Sequence, residues 1–441
     1  MQASPQRAAP RQAKGIAVVP TVGSSIRRSW QLSLYIFVGV MLLYRIAWRP
    51  DGGLRPSAES ISLANALAFH GTFSNPFYPL ATGPSAHLAP AYPFLMAGII
   101  KLFGAGPAGA FALGWLTNLV VAVQLSLLPV LADYLGLLPV TGVVAATGWI
   151  FCRFTFVPWE VDFVALVAIL LTFPMYKAFR TVLSAKEVTY AGVLWGLALM
   201  MNPVPAAVLF GWLLVLLIFR FQPLRTIAWL AILSLFVISP WLVRNYVVFR
   251  TPVFLRDNLG LELAVSNNAC ASFSFVLNDA PGGCFARNHP NENLGQALLV
   301  RSMGEPAYNR MRLREALRWI SDNPSRFMTM TGQRFMAFWF PGTLGGPIQQ
   351  TGEWEWVTDL FTVLSIPGLV LLWRTNRYAA AVLGLWLVCF PPIYFVIQFD
   401  PRYRHPVLWA TFVAGAYLVT SLASLIMNRV ESRRKATGPV R

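Results

Sequence analysis

Apolar blocks of roughly the length of a membrane-spanning helix recur along most of the 441-residue chain. A helix needs about 20 apolar residues to cross about 30 Å of hydrocarbon, and the blocks lack the two-residue alternation of a lipid-spanning β-barrel. The pattern predicts ten crossings, at residues 32–48, 108–131, 137–152, 161–176, 190–201, 204–219, 227–243, 356–373, 378–397 and 407–427. The predicted fold is therefore an all-α, polytopic membrane bundle.

One apolar segment, Ala91–Phe103, is too short for a comfortable crossing and is interrupted by Lys101. Counting it as a span would place the basic clusters at 177–186, 220–225, 374–377 and 429–435 mostly outside, against the positive-inside rule. We therefore predict an interfacial helix on the outer side and a chain with both termini in the cytoplasm.

Composition supports this class of protein, because 56% hydrophobic and 12% charged residues are too apolar a mixture for a water-soluble globule of this size. The net charge of +17 comes from short clusters between apolar blocks, so we expect membrane lipids and no nucleic acid as partners. The predicted parts are a basic cytoplasmic tail (1–28), a transmembrane module (29–243) with an outer loop (49–107), a periplasmic or interfacial unit (244–355), C-terminal transmembrane helices (356–428) and a second basic tail (429–441).

The outer unit has a helical pattern over residues 309–318 that Pro324 stops, and an amphipathic stretch at 327–340 that we place in the headgroup layer. Cys270 and Cys284 share this compartment and are joined by a loop containing Gly and Pro, so we predict a disulfide between them. Cys152 and Cys389 lie in apolar blocks and are predicted to be inert.

Candidate chemistry lies at the outer ends of the spans, because no motif of a soluble enzyme is present. Glu59 opens a helical segment that Gly71 ends, and such a carboxylate can act as a general base; the simpler alternative is that it favours the positive helix end. Glu160 and Asp162 lie at the start of the fourth span. Like Glu59, they can act as a base or simply favour the positive helix end, and they can also orient an acceptor or bind a divalent cation. The four histidines are dispersed along the chain, so no metal cluster is predicted, and a divalent cation is the one cofactor left open.

Three arginines, Arg244, Arg402 and Arg404, lie at the same predicted membrane depth in separate parts of the sequence. Snorkelling to the interface is the default explanation for such residues. Several arginines on one face also suit a lipid-linked phosphate, because guanidinium binds phosphate in a bidentate fashion.

The order of several segments resembles the bacterial GT-C glycosyltransferases, the relatives of the protein mannosyltransferases and the lipid A aminoarabinose transferase. The resemblance spans the first to the last predicted crossing and is carried by an acidic juxtamembrane helix ending in AxxLAxxGxF and by TGPSAHLAPAYPFLMAGIIKLFG, PWLVRNY, TPVFLRDNLGLELAVSNN, ALRWISDNPSRF and DPRYRHP. It implies a GT-C-like bundle in the bacterial inner membrane and a polyprenyl-phosphate sugar donor. It also implies inverting transfer to a lipid, glycan or protein acceptor on the periplasmic face.

The resemblance also assigns roles to residues. Glu59 stands at the position of the catalytic acid, although Ala58 and Ser60 flank it where relatives carry an acidic pair. Asp162 matches a second acid, Arg244 and Arg404 match the basic positions that hold the carrier phosphate, and His87 stands near a second acid or metal contact of some relatives. Beside these we predict Glu160 as a further catalytic candidate and Arg402 as a further phosphate ligand. The predicted substrate-binding residues are His87, Tyr92 and Asn245.

Two other interpretations remain open at this point. A transporter or lipid flippase would also be polytopic, although its ionisable residues tend to lie near mid-membrane. The missing acidic pair also leaves room for an inactive GT-C-like subunit of an assembly.

Overall fold

The computed structural model describes residues 22–47, 54, 59–152, 158–342 and 355–436. Within them the chain is helical, and the only β pairings are two isolated bridges. The helices are α1 (Val22–Ala47), α2 (Glu59–His70), α3 (Ala91–Phe103), α4 (Pro107–Tyr134), α5 (Pro139–Trp149), α6 (Glu160–Ala178), α7 (Ala185–Met201), α8 (Ala206–Ile218), α9 (Leu224–Phe249), α10 (Leu259–Ser266), α11 (Phe275–Asn278), α12 (Cys284–Asn288), α13 (Leu294–Met303), α14 (Glu305–Asp322), α15 (Pro324–Trp339), α16 (Glu355–Thr375), α17 (Arg377–Cys389), α18 (Ile393–Val396) and α19 (His405–Ala436).

Six of the described helical segments are long and apolar enough to cross a membrane, which confirms the all-α polytopic prediction. They are α4, α6, α9, α16, residues 377–396 and residues 401–433. The four other predicted spans coincide with α1, α5, α7 and α8, which fall outside this set. With 11 and 13 residues, α5 and α8 are only about 17 and 20 Å long. The ten-span topology therefore stays a prediction.

The core of the bundle is built by α19, which packs against α16, α5 and α6, while α1 packs on α4 and α7 on α9. The approach of α16 to α19 depends on Gly368, where an added Cβ would collide with the carbonyl of Ala414. By contrast, α9 directs large apolar side chains such as Trp229 and Phe236 outward. An apolar surface of this kind suits contact with lipid.

Three predicted domain boundaries fall well inside helices. The first, between residues 28 and 29, lies within α1 (Val22–Ala47). The boundary at Arg244 lies within α9, which continues to Phe249 and ends where Arg250 adopts a left-handed conformation (φ 53°). The boundary at Arg429 lies within α19, which continues to Ala436.

The outer unit contains the short helices α10 to α15 and no candidate span among its described residues. The predicted stop is confirmed, since α14 ends at Asp322 and Pro324 begins α15. The predicted disulfide is also confirmed: Cys270 is bonded to Cys284, with their Cα atoms 5.5 Å apart. The side chain of Arg334, in the amphipathic stretch, is fully buried against protein, and the placement of residues 327–340 in the headgroup layer stays a prediction.

Candidate functional site

The site lies at one end of the bundle, where the first residues of α2, α6 and α19 meet loops of the outer unit. As expected, α2 begins at Glu59 and is ended by Gly71, whose φ of 68° favours glycine. The α2 helix packs on α3, and α10 packs on α14. These contacts bring residues that are far apart in sequence to a single carboxylate.

That carboxylate is Glu59, which is 22% exposed and lies between two buried histidines. Its Oε2 is 3.1 Å from Nε2 of His87, and its Oε1 is 3.3 Å from Nε2 of His289. Both oxygens therefore have a nitrogen partner, and enough of the side chain remains open to meet a ligand.

The protonation states of Glu59, His87 and His289 depend on burial and on the charges around them. Burial, the largest influence on Glu59, acts to raise its pKa, but His87, His289 and Arg256 together outweigh it and lower the pKa to about 2. Burial also opposes a charge on His87, yet the attraction of Glu59 raises the pKa of His87 overall. For His289 burial prevails and lowers the pKa to about 4. At neutral pH the cluster is an ionised Glu59, a neutral His289 and a His87 drawn toward its cationic form.

The loop that carries His87 is held by buried polar contacts. Arg244 donates to the carbonyl of Ser85 (NH1, 2.7 Å), and the backbone N–H of Ala86 donates to Oε1 of Glu305 (2.6 Å). The carbonyl of His87 itself accepts from Nε of Arg256 (3.1 Å). With these partners the imidazole is fixed against Glu59.

A metal ion is one possible ligand of this cluster, because atoms of Glu59, His87 and His289 lie within 4.8 Å of one another. The donor set of two imidazoles and a carboxylate suits Zn²⁺. Folding brings His87 and His289 together although they are dispersed along the sequence, and the absence of a metal site stays a prediction. One observation opposes a metal at Nε2 of His289. Its Nδ1 accepts from the backbone N–H of Asn291 (3.2 Å), so the proton of the neutral ring lies on Nε2 and faces Glu59.

A second carboxylate–histidine pair lies at the start of α6. Oδ1 of Asp162 is 2.9 Å from Nε2 of His405, and both side chains are almost fully buried. Tyr92 is buried nearby, against Phe163, and its hydroxyl has no hydrogen-bond partner in the described part of the chain. Glu160 lies close enough to Arg402 for electrostatic attraction. Asp162 and His405 thus form a closed pair, whereas Glu160 faces the arginine.

Three of the predicted ligand-binding residues already make hydrogen bonds within the protein. Arg404 is 2% exposed, and its guanidinium donates to the carbonyls of Phe338 (3.0 Å) and Trp339 (2.6 Å) and to Oγ1 of Thr362 (2.5 Å). Asn245 is fully buried, and its Nδ2 donates to the carbonyl of Phe254 (3.0 Å). Arg244 is half-buried.

Beyond its bond to Ser85, Arg244 donates to the carbonyl of Phe73 (3.0 Å) and to Oδ1 of Asn245 (3.0 Å). Its guanidinium also lies over the ring of Trp241, 4.7 Å from the centroid. These three side chains therefore bond to other parts of the protein and support the structure around the site.

Two other arginines lie near the acidic residues of the site: Arg256 acts electrostatically on Glu59, and Arg402 on Glu160. Arg402 is 23% exposed, and its Nε lies 3.3 Å from Oδ2 of Asp400. Its guanidinium also lies over the ring of Trp159, 4.5 Å from the centroid. Arg256 uses its Nε for the carbonyl of His87 and is only partly buried. Both arginines act electrostatically on Glu262, so they flank one acidic side chain.

Sequence reasoning missed several of these residues, chiefly Arg256, Glu262, His289 and Glu305. Arg256 and Glu262 lie within a quoted segment of the family resemblance, TPVFLRDNLGLELAVSNN, which is the one signal that pointed to them. His289 and Glu305 follow no motif, and only packing brings them to the site.

Comparisons with known proteins give a distant structural likeness. No family model matches the chain, and a search of the curated proteins finds no match. Among solved structures, the chain is similar to ArnT from Cupriavidus metallidurans in the apo state, with 14% identity and a TM-score of 0.37 over 88% of this chain and 77% of that one. It is also similar to the same protein bound to undecaprenyl phosphate, with 12% identity and a TM-score of 0.37 over 91% and 78% of the two chains.

Proposed function

We propose that the protein is a membrane glycosyltransferase that moves a sugar from a polyprenyl-phosphate carrier to a lipid, glycan or protein acceptor. The observation that carries the proposal is that an accessible carboxylate, Glu59, lies beside Arg256 at one end of an apolar bundle, with Arg402 close to both across Glu262. A donor with a long apolar chain and an anionic phosphate needs both environments side by side. The family resemblance in sequence supports the same assignment.

The reaction is a direct displacement at the anomeric carbon. The acceptor hydroxyl or amine forms a bond to that carbon, the bond from carbon to the phosphate oxygen breaks, and polyprenyl phosphate leaves with the electron pair. The proton of the acceptor passes to a carboxylate. Configuration is inverted and no covalent enzyme intermediate is required.

Glu59 takes the role of base in this proposal. A carboxylate with a pKa of about 2 is a weak base toward a free hydroxyl. The attacking oxygen becomes far more acidic as the new bond forms, however, so a weak but ionised and well-placed base can accept its proton late in the reaction. His87 and His289 orient the carboxylate, and the buried Asp162 is the alternative base.

The donor phosphate is assigned first to Arg402 and to Arg256. Both are partly exposed and contact Asp400 and the His87 carbonyl through Nε, whereas the terminal guanidinium nitrogens of Arg244 and Arg404 already donate to backbone carbonyls. Positive charge placed at the departing phosphate stabilises the charge that develops there. Arg244 keeps a supporting role, since it holds the loop of His87.

Glu59→Gln tests the assignment of the base. Turnover in reconstituted bilayers should fall by roughly 10²–10⁴-fold, the usual share of general-base catalysis, while donor binding stays nearly intact. Glu431→Gln is the matched control, because its carboxylate is exposed near the C-terminus of α19, at the end of that helix opposite to His405. Full activity of Glu59→Gln would move the base to Asp162 or Glu160.

The activity itself is tested by mass spectrometry of envelope lipids and glycans from cells with and without the gene. A glycosylated lipid or glycan that disappears with the gene, and returns with the wild type but not with Glu59→Gln, is the expected result. The same product formed by Glu59→Gln at wild-type levels would contradict the mechanism. No difference in any lipid, glycan or glycoprotein would contradict the proposed class.

A further inference from the structure

A basic cleft lies at the end of the bundle opposite the Glu59 site. It has a volume of about 550 Å³ and is lined by Arg180, Arg374, Arg377, aromatic residues and Asn376. Arg180 follows the end of α6, whose 19 residues span about 28 Å from Glu160 to Ala178. The cleft is therefore about one bilayer thickness from Asp162, on the face that the positive-inside rule assigns to the cytoplasm.

The three arginines carry uncompensated charge. All three are exposed, and in the described ranges none lies within ion-pair distance of an acidic group. The nearby Lys177 and Glu187 are bonded to each other, so Glu187 is not available to the arginines. Like charges held together without counterions favour an anionic ligand.

Aromatic and amide groups hold two of the arginines in place. The guanidinium of Arg180 lies 5.5 Å from the ring centroid of Tyr176, and its NH1 donates to the Tyr176 hydroxyl (3.4 Å). Arg377 stacks on Tyr378 at 5.0 Å and donates to its hydroxyl (3.2 Å). Ordered guanidinium groups lose less entropy when they bind phosphate.

The floor of the cleft adds further donors. Nδ2 of Asn376 donates to the hydroxyl of Tyr176 (2.9 Å), and the side-chain oxygen of Asn376 caps the N-terminus of α17 by accepting from the backbone N–H of Ala379 (3.2 Å). Because the Tyr176 oxygen already accepts from Asn376 and Arg180, its own proton is free to be donated. The N-terminus of α17 adds partial positive charge.

We propose that this cleft binds the phosphate headgroup of an anionic phospholipid. Trp373 lines the same cleft and is 60% exposed, as expected of an aromatic side chain at the membrane interface, beside the acyl chains of a bound lipid. Phosphate is the headgroup chemistry that arginine clusters recognise, and basic pockets between spanning helices are typical sites for it. The apolar side of the cleft favours a lipid over a free anion.

The test compares the full-length protein in nanodiscs of phosphatidylcholine alone with nanodiscs that also contain phosphatidylglycerol. The variant carries Arg180→Gln, Arg374→Gln and Arg377→Gln. The matched control carries Arg28→Gln, Arg225→Gln and Arg429→Gln, which removes the same charge from exposed positions predicted on the same face. Thermal stability and the anionic lipid retained in native mass spectrometry are the readouts.

Phosphatidylglycerol should stabilise the wild type and the control and should remain bound to both. The cleft variant should bind it roughly 100-fold more weakly, about fivefold for each arginine removed. Inorganic phosphate should not reproduce the stabilisation; if it does so fully, the ligand is a free anion and the lipid assignment is overturned. Equal lipid retention by variant and control would overturn the site. A cleft variant that is less stable than the control in phosphatidylcholine alone, and that gains as much stability from phosphatidylglycerol as the wild type does, would also overturn it, because the arginines would then be structural.

Discussion

The sharpest prediction concerns Arg404, which occupies a position that the family resemblance assigns to the donor phosphate. In the structure its guanidinium caps a helix instead. The carbonyls of Phe338 and Trp339 belong to the last turn of α15 and have no partner within that helix, and NH1 of Arg404 donates to both. We therefore expect Arg404→Met to act mainly on stability.

The magnitude follows from the groups left without partners. Each buried carbonyl that loses its donor costs about 1–3 kcal/mol, and two are affected. The loss of the bond to Thr362 adds to this, while removal of a buried charge offsets part of it. The expected net loss is about 2–5 kcal/mol, enough to lower the melting temperature by several degrees.

Arg402→Met is the matched comparison, two residues away. Arg402 is 23% exposed and paired with Asp400, so its loss should cost about 1 kcal/mol or less in stability. If it contacts the donor phosphate, binding should weaken instead. Two measurements on both variants in the same detergent separate the two roles. One is the temperature at which monodisperse protein is lost, and the other is the affinity for polyprenyl phosphate.

The reasoning would be refuted by the opposite pattern. If Arg404→Met keeps the wild-type melting temperature but binds polyprenyl phosphate weakly, its guanidinium contacts the carrier and the capping role is minor. If Arg402→Met binds the carrier as tightly as the wild type does, the donor phosphate lies elsewhere.

Three further predictions follow from the outer unit and the topology. Burial raises the pKa of Glu305 to about 7, so stability should fall by up to about 3 kcal/mol as the pH rises from about 4.5 to 7; melting of Glu305→Gln, which keeps an acceptor for Ala86, should lack this dependence. Reduction of the Cys270–Cys284 bond should lower stability by about 3 kcal/mol, measured by denaturation with and without reductant, and Cys270→Ser should be insensitive to the reductant. A reporter fused to the C-terminus should be active only in the cytoplasm; activity only in the periplasm would overturn the ten-span topology.

Local features of the sequence determined much of the fold. The apolar blocks predicted a helical membrane protein because lipid requires each spanning backbone to satisfy its own hydrogen bonds. The ends of α2 and α14 were predictable because Gly71 and Pro324 act on their immediate neighbours. The disulfide was predictable because its cysteines are 14 residues apart along the chain.

The ligands of Glu59 were not predictable in this way. His87 was expected near the site only from the resemblance, and His289 lies far along the chain in the outer unit, with no motif around it. Their meeting depends on contacts such as the bond from the Ala86 N–H to Glu305, which join segments that are distant in sequence. Periodicity and spacing contain no information about such contacts.

The arginines show most clearly what only the tertiary structure decided. Arg334 lies in a stretch whose amphipathic pattern placed it in the headgroup layer, yet its guanidinium donates to the carbonyls of Ser266 (2.5 Å) and Val396 (3.0 Å), the last residues of α10 and α18. Arg404 likewise binds the end of α15, whereas Arg402 remains partly exposed. The sequence determined that arginines lie near the ends of helices. Which of them satisfies a buried helix end, and which remains available for a phosphate, depends on which carbonyls the packed helices leave without partners.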